Sequence, residues 1–316
     1  LKVELKNNEP GVATWSDLKT FKIFSVSGGN QLYRNGYQQL KVKVVVEVED
    51  WLWGSVALSQ SELDSIVLVD ALTGLALTKD RHREDIKDWR YTEREDSRFR
   101  QLPPNGPIQG SVPSGEFVYT KDFYVTTRSD TPIDLQLCIT RADGKKFLSS
   151  KASEFGSLVL IPLAPAVYRS EQYSVRTIPA YYSSQSPDIA KVEGFVLELI
   201  VDQQRMEFVA DFYMRTHLQI GSPDNRYSGY YVVGYGDGRA IRTSAYLSWE
   251  RPDAVGRNLS EKGVVAFVLA FGKKGGPVWV RENRNSAALE MRDVFGNFHQ
   301  LRVWITEETL AVWVAR

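Results

Sequence analysis

Three histidines, one cysteine and a scatter of carboxylates are the side chains with chemistry to offer. His82, His217 and His299 lie far apart in three different contexts. None belongs to a His-Glu-x-x-His motif, which would set two imidazoles on one helical face to hold zinc. Cys138 stands alone in DLQLCITRAD, so no intrachain disulfide can form and a cysteine-rich zinc site is ruled out. It alternates with apolar neighbours and reads as a small buried hydrophobe. A nucleophilic thiolate would need an electropositive setting. No Gly-x-Ser-x-Gly elbow, Walker loop or dinucleotide fingerprint occurs. Gly234-Tyr235-Gly236-Asp237-Gly238 has the glycine density of a phosphate loop but lacks the Lys-Ser/Thr that follows one, so it reads as a hairpin turn. SPDNRYSG carries Asp224 and Asn225 without the alternating ligands and closing Glu of an EF-hand loop. Asn258-Leu259-Ser260 is a glycosylation sequon, meaningful only in a eukaryotic secretory host. Carboxylates are numerous, but a glycosidase pair is defined by separation in space, which spacing along the chain does not give. These residues call for no metal and no cofactor.

The aromatic residues carry the remaining signal. Tyr227, Tyr230, Tyr231 and Tyr235 crowd the turns expected at Asp224 to Gly229 and Gly234 to Gly238. Tyrosine offers apolar area and a hydroxyl at low entropic cost, so these four are the candidate binding residues, with core packing as the competing role. Trp249, Trp279, Trp304 and Trp313 read as core fillers.

The element that organises the first half is Tyr37 to Asp50, YQQLKVKVVVEVED. Leu40, Val42, Val44, Val46 and Val48 share one face of an extended chain; Lys41, Lys43, Val45, Glu47 and Glu49 share the other. A period of two marks a strand with one buried and one wet face. Asn35-Gly36 before it favours a tight reversal. Over Leu32 to Asp50 the chain resembles the bacterial immunoglobulin-like modules of invasin- and intimin-type adhesins, in which such a turn precedes a long alternating strand of valines. The pattern departs afterwards, with WLWGSVALS where those modules usually carry a Gly-x-Pro turn. The resemblance implies a β-sandwich and no chemistry.

Turn signals recur through the rest, at Thr73-Gly74, Asp143-Gly144 and Phe295-Gly296-Asn297. Leu1 to Leu5 alternates like a first strand, while Asp188 to Val201 stays open between helix and strand. From Lys79 to Arg100 charges of both signs are densely mixed, which reads as a solvated insertion outside the core. The expectation is an all-β chain of two β-sandwich domains, immunoglobulin-like or jelly-roll-like. The first spans 1–155 with a charged insertion at 79–110, and the second spans 156–316 as a sandwich or barrel. Net charge is +0, which argues against a nucleic-acid partner and does not oppose self-assembly. No apolar run approaches the ~18 residues of a membrane span, and LKVELKNNEP does not read as a signal peptide. The work expected is non-enzymatic binding or assembly, as in a structural component of a phage or phage-tail-like particle or a bacterial surface adhesin. A protein partner or a second copy would be bound, with a glycan as the alternative, outside the cell or on a virion. The competing classes are a polysaccharide-acting enzyme and a secreted β-rich toxin.

Overall fold

In the computed structural model the described residues are 14–79, 88–105, 110–149, 154–178, 189–209, 213–214, 219–221, 228–236, 241–243, 261–272, 286–305 and 310–314. They are almost entirely β, and the chain divides into two compact units, Leu1–Pro165 and Ala166–Arg316.

The first unit is a pair of sheets around one core. One sheet contains β1 (Asp17–Ser25), β3 (Leu40–Glu49), β4 (Ser55–Val56), β6 (Thr78–Lys79), β7 (Arg90–Thr92) and β8 (Tyr119–Thr126), in the order β1-β3-β8-β7-β6 with β4 beside β3. The other contains β2 (Gln31–Tyr33), β5 (Val67–Asp70), β9 (Ile133–Thr140), β10 (Lys146–Leu148) and β11 (Leu158–Leu163), in the order β10-β9-β11-β2 with β5 beside β9. The alternation of β3 works as expected. Val42, Val44, Val46 and Val48 are buried in one core with Ile23, Phe123, Leu68, Leu135, Leu137 and Leu160 from both sheets. Val45, on the other face, is fully buried as well. Lys22 and Thr120 flank it in register, and the ion pairs Lys43–Asp122 and Lys19–Glu47 lie two residues to either side. Aliphatic lysine stems can cover an apolar residue while their charges stay in water.

Asn35-Gly36 makes the expected reversal into β3. Asn35 Oδ1 accepts from the backbone N–H of Tyr37 and Gln38, and Gly36 takes φ +76°. One five-residue helix, α1 (Gln60–Asp64), follows β4 with a capping box from Ser59 and Glu62. At one end of this unit Trp15 Nε1 donates to Glu62, Arg141 donates to Trp15 O, and Ser16 N donates to Glu49 O. β11 runs antiparallel to β9 and leaves at the opposite end, where Leu163 is paired with Tyr33.

Two expectations change. The strand Leu158–Leu163, assigned by sequence to the second half, pairs with β9 and β2, so the division falls at Pro165 rather than at 155. The described part of the charged stretch, 88–100, is not outside the core either. β7 extends the first sheet, Trp89 and Tyr91 join the core, and Phe99 is buried against Tyr37. Gln38 and Gln39, both buried, hold it in place. Gln38 accepts from Tyr33 N and donates to Arg100 O, while Gln39 accepts from Asp96 N and donates to Arg94 O. Glu93 pairs with Lys79 and Lys121. The apolar residues spaced among the charges, not the charges, decide where the segment goes.

The second unit carries a seven-stranded sheet of β12 (Tyr173–Ile178), β13 (Ile189–Val201), β14 (Gln204–Met206), β16 (Gln219–Gly221), β17 (Ser228–Gly236), β18 (Ile241–Thr243) and β19 (Val265–Gly272). A four-stranded sheet contains β15 (Tyr213–Met214), β20 (Ser286–Arg292), β21 (Phe298–Ile305) and β22 (Leu310–Val314). Phe195, Leu197, Leu199, Val265 and Phe267 pack with Leu289, Met291, Leu301 and Val303 to form its core. The segment left open between helix and strand is strand β13, paired with β12 and β19.

Candidate functional site

The most exposed cluster of large apolar side chains described is the β3–β4 turn. β3 ends at Glu49, and β4 returns with Glu49 opposite Ser55 and Val48 opposite Val56. Asp50 shapes the turn between them. Its Oδ1 accepts from Leu52 N at 2.8 Å and Gly54 N at 3.0 Å, and its own N–H donates to Gly54 O at 3.0 Å. Aspartate favours such local closure because its short carboxylate reaches backbone donors two residues on. The closed turn leaves Trp51 68%, Leu52 81% and Trp53 79% exposed. Trp53 N donates to Asp50 O at 3.2 Å, and Trp53 itself sits at φ +66°. A bulky residue in the left-handed region is strained. Three large apolar side chains are thus presented to water on a hydrogen-bonded scaffold, one of them against its own backbone preference.

The same device recurs after β5. Asp70 Oδ1 accepts from Leu72 N, its N–H donates to Leu75 O, and Gly74 N donates back to Asp70 O. Leu72 and Leu75 are exposed there, at the other end of the unit from Trp51, since β5 runs antiparallel to β9. Sequence reading marks Thr73-Gly74 as a turn, but it singles out the exposed apolar side chains of neither turn. The signal available is Asp-x-x-x-Gly enclosing apolar residues, in DWLWG and DALTG.

A buried polar cluster occupies the second unit. Asp293, in the β20–β21 turn, has its carboxylate filled by four donors: Phe295 N and Asn297 N on Oδ1, Asn297 Nδ2 and the Tyr168 hydroxyl on Oδ2. His299 Nδ1 lies 2.7 Å from the Tyr173 hydroxyl, and Nε2 lies 3.3 Å from Asp293 Oδ2 without forming a proper hydrogen bond. Burial, and then the negative charge of Asp293, push the Tyr173 hydroxyl well above its usual range. That hydroxyl keeps its proton. Tyr168 stacks on the ring. Asp293 and His299 are both buried, and the cluster fastens the turn.

Of the residues picked from sequence, Tyr230, Tyr231 and Tyr235 lie within β17 rather than on turns. Tyr230 is opposite Gln219 and Ala270, Tyr231 opposite Leu269, and Tyr235 opposite Arg242 and Val265. Tyr227, His82, His217, Asp224 and the sequon at Asn258 lie outside the described residues. Cys138 is buried on β9, and burial raises its thiol pKa. Among the described residues no group of three metal-ligating side chains comes together, and no helix is long and apolar enough to cross a membrane.

No family model matches the chain, and no curated protein matches it. Among solved structures it is similar to the C-terminal domain of the Streptococcus pyogenes antigen I/II-family protein AspA. The identity is 11% and the TM-score 0.24, over 95% of this chain and 100% of that one. So loose a superposition constrains neither activity nor partner.

Proposed function

We propose that the chain is a non-enzymatic binding or assembly module, of the kind built into a phage-like particle or a bacterial surface adhesin, and that Trp51, Leu52 and Trp53 make its contact. The observation that carries this reading is the exposure of the three side chains on a hydrogen-bonded turn, with Trp53 in a strained backbone conformation. Strain of this kind persists only where the surroundings over-determine it, and it concentrates at functional positions. Tryptophan is the residue type most enriched among binding hot spots. Tyr227, Tyr230, Tyr231 and Tyr235 form a second proposed contact, favoured by the position of Tyr235 one residue from the end of β17.

Peptide-display panning, glycan arrays and sedimentation velocity on the full chain should return binding that Trp51→Ser with Trp53→Ser removes at an unchanged melting temperature. Tyr230→Ala with Tyr235→Ala tests the second contact in the same assays. Turnover of a polysaccharide, abolished by one Asp or Glu substitution, would overturn the reading.

A further inference from the structure

We infer that, if the tip is the contact, its partner is a protein segment that carries lysine or arginine beside apolar side chains. The charges around the base of the tip point there. Asp17 and Glu49 stand directly opposite each other on β1 and β3, the last such pair before the turn. Like charges in that position repel across the strands. Among the described residues Asp17 accepts only from the adjacent Leu18 N, and neither carboxylate has an ion pair. Two residues further into the sheet the pattern reverses. Glu47 pairs with Lys19 at 3.0 Å and accepts from the Ser55 hydroxyl, and these partners hold its carboxyl below the usual range. Negative charge is therefore ion-paired two residues inside the sheet, while the carboxylate pair nearest Trp51 and Trp53 has no ion pair among the described residues, and Asp50 adds a third carboxylate at the base.

An anionic lipid surface would be repelled by this arrangement. A cationic side chain is favoured twice, by the carboxylates and by the face of an exposed indole, which attracts cations. The apolar area of the tip needs an apolar counterpart, which a basic and apolar protein segment supplies together with the charge.

The test pans a random peptide library against the full chain and titrates each enriched peptide, synthesised, by tryptophan fluorescence. The enriched sequences should combine Lys or Arg with aliphatic or aromatic residues. Their affinity should fall at least about tenfold in Trp51→Ser with Trp53→Ser. It should fall also in Asp17→Asn with Glu49→Gln, and with added salt. The Asp17 and Glu49 variant should melt no lower than the parent, because it removes a repulsion. Peptides that lack basic residues, or whose affinity ignores the Asp17 and Glu49 change, overturn the inference while leaving the tip as the contact. Tip-dependent binding to phosphatidylcholine vesicles with or without phosphatidylserine, to an arrayed glycan, or to a second copy in sedimentation velocity does the same. Absence of tip-dependent binding to every probe overturns both this inference and the contact beneath it.

Discussion

Glu62 shows how one residue can hold distant segments together. Its carboxylate is buried and accepts from Trp15 Nε1, Ala142 N, Ser59 N and the Ser59 hydroxyl. Burial pushes its pKa up, but these bonds outweigh burial and hold it below the ordinary value. A depressed folded pKa means stabilisation that is present above the unfolded value, about 4.3, and lost as pH falls through the folded one. Glu62→Gln should therefore cost ~1–3 kcal/mol near neutral pH. That difference should shrink on acidification below about pH 4, as urea midpoints at the two pH values will show. Ser59-x-x-Glu62 has visible capping-box spacing, yet the bonds to Trp15 and Ala142 reach 47 and 80 residues along the chain, and no local pattern encodes them. Trp53 makes the opposite point. Its hydropathy suggests burial, and its exposure comes from Asp50 closing the turn. Trp53→Gly should relieve a left-handed strain of about 1–2 kcal/mol, offset in part by roughly 0.5–1 kcal/mol of glycine entropy. The thermal midpoint should hold or rise while binding at the tip falls.

At the scale of elements, period was the most readable property and attachment the least. β3 was plain from its alternating valines, and Val44→Asp should cost several kcal/mol by placing an unpaired carboxylate in the core, measurable as a lowered urea midpoint. β13 was ambiguous because GFVLELIV is apolar and buried on both faces, with Phe195, Leu197 and Leu199 on one and Val196 on the other, which weakens the polar half of the alternation. The charged stretch was misplaced because Trp89, Tyr91 and Phe99 are few among many charges, although they decide its position. Its attachment by Gln38 and Gln39 uses amide groups that no periodicity marks. Gln39→Ala would strand the Asp96 N–H and the Arg94 carbonyl, at a cost of ~1–3 kcal/mol. Trypsin should then cut at Arg94 or Arg98 sooner than in the parent; equal cleavage rates would mean that the segment is held by its aromatic residues alone.

On the scale of the whole molecule, each of the two cores lies wholly within one unit. Val44→Asp and Tyr173→Phe should accordingly lower different transitions in scanning calorimetry, the second by leaving His299 Nδ1 buried without its hydrogen-bond partner. A single transition shifted alike by both changes would show the units melting as one. The placement of the tip has a mechanical consequence. Trp51 to Trp53 extend from the end of β3, and the chain leaves the same unit at the far end, after β11. A pull applied at the tip and resisted at Leu163 runs along the strands. It loads the ladders that join β3 to β1 and β8 in shear, so that many hydrogen bonds must yield together instead of unzipping one by one. A partner gripping those tryptophans would be pulling on the unit in its strongest direction.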